Sequence, residues 1–224
     1  MAGTRAMLLH AGGPRSLVAG AVVTREQDAS RVIAVCIDDG RPDAPARLAA
    51  AQLAAEAQGI KAVETLALPH LAPESPDAPP PSPALWAAQA LPAVLALAQR
   101  RRCDRLIWPA SAGPSRDTSQ ALRIAELAEL VMAMAALDTD REPGATPRLD
   151  TPLAELSDAQ VVALGERLGV DWRLARSCTS PTVGVGRPGC GACPGCARRE
   201  RAFAAAAVAD PLALDAPARR PNAA

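Results

Sequence analysis

Residues 31–37 read Arg-Val-Ile-Ala-Val-Cys-Ile, an apolar, β-branched run with no polar interruption after its first position. A strand exposed on one face alternates polar and apolar residues, so a continuous run of this kind suits a strand covered on both faces. Its surroundings repeat the theme. Arg5–His10 is a shorter apolar strand that ends in a glycine turn, and Ser16 to about Thr24 reads as a helix. Asp38-Asp39-Gly40 closes the second strand, a helix follows from about Ala46 to Gln58, and Lys61–Leu68 is a third strand. Strands alternating with helices at this spacing predict βαβ units, and hence an α/β fold with a parallel sheet flanked by helices.

The second half is less regular. Pro69–Pro83 is dense in proline and reads as a loop, after which Ser82-Pro83 opens a helix to about Arg101 with an expected kink at Pro92. Arg105–Trp108 is a fourth strand, and Ile124, Leu127, Val131 and Met134 trace one face of a helix over 118–137. After a second loop, Leu149 lies in a short extended piece. Ser157-Asp158-Ala159-Gln160 is a capping-box sequence whose helix ends at Gly169, and a last helix is expected from about Cys193 to Ala209. The expected divisions are an α/β domain over 1–147, a helical, cysteine-bearing region over 148–209, and a flexible tail over 210–224.

Composition removes several classes of function. The 224 residues carry 24 Lys+Arg against 24 Asp+Glu, which argues against a basic nucleic-acid binder. Aromatic residues make up 2% of the chain, so the core is left to Leu, Val, Ile and Ala, and stacking platforms for single-stranded nucleic acid are all but excluded. No apolar run reaches the roughly 20 residues that cross a bilayer. The longest candidate, Ala84–Ala98, is broken by Gln89 and Pro92. A cytoplasmic location is expected, and there six cysteines read as metal ligands or buried thiols rather than disulfides.

Four of the six fall in one segment. Cys178, Cys190, Cys193 and Cys196 form C-x11-C-x2-C-x2-C, with Gly189, Gly191 and Gly195 permitting tight turns between them. Four thiolates suit a tetrahedral Zn²⁺ with no open position, a structural site, although an iron–sulfur cluster or a set of free thiols uses the same residues. Cys36 and Cys103 read as small buried hydrophobes.

Two further features bear on ligand binding. In Leu8-Leu9-His10-Ala11-Gly12-Gly13-Pro14-Arg15-Ser16 a pair of glycines joins a strand to a helix start. Such a turn cradles phosphate through backbone N–H groups, or simply reverses the chain. Asp38 and Asp39 end the next strand at the same sheet edge, where carboxylates hold Mg²⁺ or a ribose hydroxyl, or form a solvated turn. His10 reads as a ligand contact or a structural strand-end residue. His70 reads as solvated, and Asp117 as a substrate contact or a helix cap. The arginines at 198, 199 and 201 read as phosphate contacts or a solvated face. The glycine turn carries neither a Walker lysine nor G-x-G-x-x-G spacing, and no H-E-x-x-H is present in the chain.

Cys190-Gly191-Ala192-Cys193 with Cys196, Arg199, Ala202 and Phe203 reproduces C-G-x-C-x-x-C-x-x-R-x-x-A-F. With Thr151-Pro152-Leu153, Ser157 and Ser177-Cys178 upstream, the sequence resembles the 7-cyano-7-deazaguanine synthase family, a branch of the N-type ATP pyrophosphatases. The resemblance implies an adenine nucleotide α-hydrolase-like fold with a zinc-binding C-terminal segment. It also implies ATP with Mg²⁺, a deazapurine acid and ammonia as reactants, and a homodimer. His10 to Ser16, with Asp38 and Asp39, become the implied nucleotide site. The chain departs from the family's Ser-Gly-Gly-x-Asp-Ser loop at Ala11, which removes a hydroxyl, and at Arg15, which reverses a charge. Ala175-Arg176-Ser177-Cys178-Thr179 stands where the family has Thr-Trp-Ser-Cys-Tyr, and Asp158 where a basic residue is frequent.

Overall fold

A computed structural model describes residues 5–71, 83–113, 126–127, 129–131, 133 and 147–213. Five strands form one sheet: β1 (Ala6–Leu9), β2 (Val32–Asp38), β3 (Ala62–Ala67), β4 (Arg105–Ile107) and β5 (Arg148–Asp150). Their order is β3-β2-β1-β4-β5, and every pairing is parallel. Helices α1 (Pro14–Glu26), α2 (Ala44–Ala57), α3 (Pro83–Arg100), α4 (Asp158–Arg167) and α5 (Pro194–Ala205) complete the described elements of more than one turn. The doubly covered sheet predicted from residues 31–37 is thus present.

Side-chain alternation divides the core. Met7 and Leu9 of β1 join Ile33, Val35 and Ile37 of β2 against α3, through Ala87, Leu91 and Val94. Ala6, Leu8, Val32 and Ala34 point the other way, onto Leu17 and Val18 of α1 and Ala54 of α2. Alanine on the helices brings them close to the sheet, which is how a core almost without aromatic rings still fills its volume. Val161 and Val162 of α4, Trp172 and Phe203 belong to this second cluster. The Trp172 and Phe203 rings meet edge to face, 5.2 Å between centroids. The C-terminal helices therefore share a core with α1, and β5 at 148–150 lies within the sheet.

Several boundaries move. Helix α1 starts at Pro14 rather than Ser16, because proline at the first helical position loses no intrahelical hydrogen bond. Helix α3 contains Pro92 within its span, and α5 stops at Ala205, short of the expected 209. The helix expected over 118–137 is described only at 126–127, 129–131 and 133, and Asp117 lies outside the described residues. The capping box is realised in full: Ser157 Oγ accepts from Gln160 N, and Gln160 Oε1 accepts from Ser157 N.

From β1 the chain winds through β2 to β3, then returns to place β4 on the other side of β1. The C-terminal ends of β1 and β4 thus flank the point where strand order reverses, the place where open α/β sheets leave a crevice.

Candidate functional site

The crevice is occupied by a cavity of about 540 Å³, a size that suits a nucleotide-sized ligand. The turn after β1, residues of the loop after β4, the start of α4 and the start of α5 all contribute to its wall. Gly12 has a φ of +70°, and a Cβ there would lie 2.8 Å from both the Ala50 Cβ and the Arg47 carbonyl oxygen, so only glycine fits. His10 is fully buried; its backbone N–H donates to Val35 O, and its Nδ1 accepts from Gly12 N at 3.3 Å. Burial lowers its pKa to about 4, so the imidazole is neutral. His10 shapes the turn from inside rather than reaching into the cavity.

Gly13 caps α1 without a side-chain hydrogen bond, so the first-turn amides face the cavity with the positive end of the helix dipole. Ala11, Gly13, Pro14, Arg15 and Ser16 all line the cavity. The Ser16 hydroxyl donates to Gly13 O at 3.0 Å. Arg15 is held below the usual arginine range, at about 10, first by desolvation and then by neighbouring Arg198, with Asp158 opposing.

The two aspartates after β2 do not meet the cavity as free carboxylates. Asp39 is fully buried and bonds to Arg41 and Arg47. Although its burial raises the pKa, those two guanidiniums hold the carboxyl below its ordinary range. Asp38 accepts from Gly40 N at 3.0 Å, a local turn contact. For Asp39 this replaces the expected free carboxylate: an arginine eight residues along the chain, in α2, reaches back to neutralise it, which strand-end spacing does not reveal.

Two of the three arginines after the last cysteine are engaged within the fold rather than solvated. Arg198 forks onto Asp158, and Arg199 is buried. Arg199 donates to Asp210 at 2.7 and 2.8 Å, to Trp172 O at 3.0 Å and to Ala175 O, and lies 4.9 Å from the Phe203 ring centroid. Asp210, the first residue of the expected tail, is thereby tied to the fold. Arg201 and His70 are exposed, as a solvated role requires.

Residues that the sequence reading passed over complete the wall. Trp86 of α3 and Trp108 after β4 line the cavity with ring centroids 6.1 Å apart. Ser111 and Arg176 line it as well, and Arg176 N–H donates to Gly12 O at 2.8 Å, joining the glycine turn to the cysteine segment. A chain with three tryptophans offered one signal: one of them lies in the β3–β4 crossover and a second directly after β4, which the topology brings back beside β1. The aromatic poverty of the chain as a whole hid that concentration.

The four cysteine sulfurs lie within 4.8 Å of one another and form a site able to hold a metal ion. Cys178 follows the one-turn helix at Trp172–Leu174, Cys193 caps α5, and Cys196 sits in its first turn. Backbone N–H groups of Ser180 and Cys190 point to Cys178 Sγ at 3.4 Å, and those of Thr179 and Cys196 to Cys193 Sγ at 3.5 and 3.4 Å. Desolvation opposes ionisation of Cys193, yet these amides lower its pKa to about 6. A Cβ on Gly189 would strike Cys196 Sγ at 2.3 Å, and one on Gly195 would meet Ser177 O at 1.9 Å, so these two glycines let the loop close on the sulfurs. Cys36 and Cys103 are buried elsewhere, where desolvation pushes both thiols up to about 11. No described helix is long and apolar enough to cross a membrane.

A family described as "Queuosine biosynthesis protein QueC" matches residues 126–207. The 7-cyano-7-deazaguanine synthase of Methanopyrus kandleri is 31% identical over 231 residues, covering 93% of this chain and 97% of that protein. The synthases of Anaeromyxobacter dehalogenans and Solidesulfovibrio magneticus are 44% and 46% identical over 64 and 65 residues. Those two matches span 29% of this chain and only 26% of each relative. Among solved structures, the U34-tRNA thiolase NcsA from Methanococcus maripaludis with its [4Fe-4S] cluster has a TM-score of 0.51 at 16% identity, covering 75% of this chain and 58% of that one. At that identity the likeness is one of fold.

Proposed function

This chain belongs to the 7-cyano-7-deazaguanine synthase family, and from that premise we propose that it is an ATP-dependent carbon–nitrogen ligase acting on a deazapurine carboxylic acid. The acid is 7-carboxy-7-deazaguanine or a close relative, ammonia supplies the nitrogen, and the nitrile 7-cyano-7-deazaguanine is the product. The supporting observation is the cavity at the strand-order reversal, with an uncapped helix N-terminus on one wall and a tryptophan pair on another.

A carboxylate is a poor electrophile until one oxygen becomes part of a leaving group, which is what ATP provides. Ammonia then displaces that group to give the amide, and a second dehydration gives the nitrile. In this reading the backbone of Gly13, the first turn of α1 and Arg15 hold phosphate or carboxylate oxygens as charge develops. Magnesium, which the family implies, finds no fit among the described residues. Among the described residues Asp158 is the one carboxylate lining the cavity, and Arg198 occupies both its oxygens.

Zinc fits the four cysteines. Tetrahedral Zn–S bonds of 2.3 Å set sulfurs about 3.8 Å apart. Two pairs here lie at 3.5 and 4.0 Å. An iron–sulfur cubane binds each cysteine to a different iron and spreads the sulfurs further. A closed four-sulfur site supplies folding free energy rather than an open coordination position.

The test is release of AMP and pyrophosphate from ATP by the purified protein with 7-carboxy-7-deazaguanine and ammonium. Turnover that requires the acid supports the ligase. The engaged state of Asp158 favours a second reading, a non-catalytic relative that keeps the cavity and the metal segment. Ligand binding without any product distinguishes it.

A further inference from the structure

Five arginines line the cavity, at 15, 41, 176, 198 and 199. Four face a carboxylate: Arg41 meets Asp39 at 2.6 Å, Arg176 meets Asp43 at 3.6 Å, Arg198 meets Asp158 at 2.6 Å and Arg199 meets Asp210 at 2.7 Å. Arg15 has no hydrogen bond or ion pair to any described residue. A cation left unmatched in a half-desolvated site raises the free energy of the empty protein, and an arriving oxyanion relieves it. The uncapped start of α1 adds its dipole at the same place.

The same lining carries a second, independent set of unsatisfied groups. Ser111 is 4% exposed, and its hydroxyl has no hydrogen-bond partner. The Trp86 indole N–H, buried beside the Trp108 ring, has none either. One wall thus offers charge, and another offers flat apolar surface with unused hydrogen-bonding groups, the arrangement a planar polar ring with an acidic substituent completes. A divalent cation asks for free oxygen ligands instead. Three described carboxylates near the site are already held, Asp39 by Arg41 and Arg47, Asp43 by Arg47 and Arg176, and Asp158 by Arg198, while Asp38, which accepts from Gly40 N, is not among the lining residues.

We propose that the cavity takes a planar heteroaromatic ligand bearing an oxyanion, that Arg15 clamps that oxyanion where a divalent metal would otherwise stand, and that Trp86, Trp108 and Ser111 hold the ring. This rests on the reading of the cavity as the nucleotide and deazapurine site. The oxyanion is a phosphate of a purine nucleotide or the carboxylate of a deazapurine acid, which share the geometry a guanidinium recognises.

The test is calorimetric titration of the full chain with AMP, ATP and 7-carboxy-7-deazaguanine, each in EDTA and in excess magnesium, with tryptophan emission followed in parallel. At least one ligand is expected to bind with the same affinity in both buffers and to perturb the emission. Arg15→Ala should weaken that ligand about ten- to hundredfold, with Arg15→Lys restoring part of the loss. The ligand that shows the arginine effect identifies the source of the oxyanion. Circular dichroism checks that Arg15→Ala is folded; if it is not, Arg15→Gln takes its place. Binding that appears only with magnesium overturns the inference and leaves the cavity reading standing. Binding by Arg15→Ala at wild-type strength overturns the clamp. Failure of all three ligands in both buffers overturns the inference and the cavity reading together.

Discussion

Arg198 grips Asp158 through two parallel hydrogen bonds, Nε to Oδ2 at 2.6 Å and Nη2 to Oδ1 at 2.7 Å, fastening the first turns of α5 and α4 to each other on the cavity wall. The pair links the cysteine segment to the layer that covers the sheet. It also withdraws one carboxylate and one guanidinium from any ligand.

Asp158→Asn should therefore move two quantities in opposite directions. Stability should fall by about 1–2 kcal/mol, because the two-bond ionic fork becomes at most one hydrogen bond from the guanidinium to a neutral amide oxygen and Arg198 is only partly buried. Anion affinity should rise as Arg198 is freed. Urea unfolding and AMP titration read the two effects, and weaker AMP binding would show that Asp158 touches the ligand directly.

Arg199 carries a heavier structural role. Arg199→Ala leaves Asp210 without its partner and the carbonyls of Trp172 and Ala175 without a donor, a loss of about 3–5 kcal/mol in chemical denaturation. Arg199→Lys should recover little of it, since an ammonium cannot fork onto Asp210 while reaching both carbonyls. A lysine variant as stable as wild type would contradict this account.

The sulfur spacing predicts one zinc per chain and no visible iron–sulfur absorbance. Cys193→Ser should lose the metal and loosen the chain from Cys178 onward, since a structural zinc site contributes on the order of 10 kcal/mol to folding. Elemental analysis with hydrogen exchange over 178–205 checks both parts. Iron in place of zinc in protein purified without air would sink the assignment.

His10 gives the fold a dependence on acid. Its folded-state pKa, about 4, lies below the unfolded value near 6.5. The unfolded chain therefore takes up a proton first as pH falls. Stability should drop between about pH 6.5 and 4, by up to about 3 kcal/mol, and level off below that. His10→Asn should flatten this part of the pH profile of the denaturation midpoint. An unchanged slope would mean that the imidazole is solvated.

How much of this was legible beforehand depended on the range of each interaction. The run at 31–37 announced a doubly covered strand because burial on two faces demands apolar residues at every position, and Ile33 and Ala34 do point into opposite clusters. Ser157 and Gln160 announced the start of α4 because a capping box closes within four residues. The cysteines announced a sulfur cluster able to hold a metal ion because chelation by short loops is written in their spacing. Asp39 misled because Arg47, which neutralises it, lies on the following helix, and no pattern of spacing distinguishes a free carboxylate from a paired one.

The sequence by itself thus determined the parallel α/β architecture, the capped helix starts and the converging sulfurs, all products of periodicity or of contacts a few residues long. Tertiary structure alone decided which charges survive at the cavity and which rings border it. Trp86 meets Trp108 from within the β3–β4 crossover, Arg198 meets Asp158 from 40 residues away, and Arg15 has no hydrogen bond or ion pair among the described residues because Asp158 is taken by Arg198. Compensation between charges depends on distance in space, and that distance is set only once the sheet has brought remote segments together.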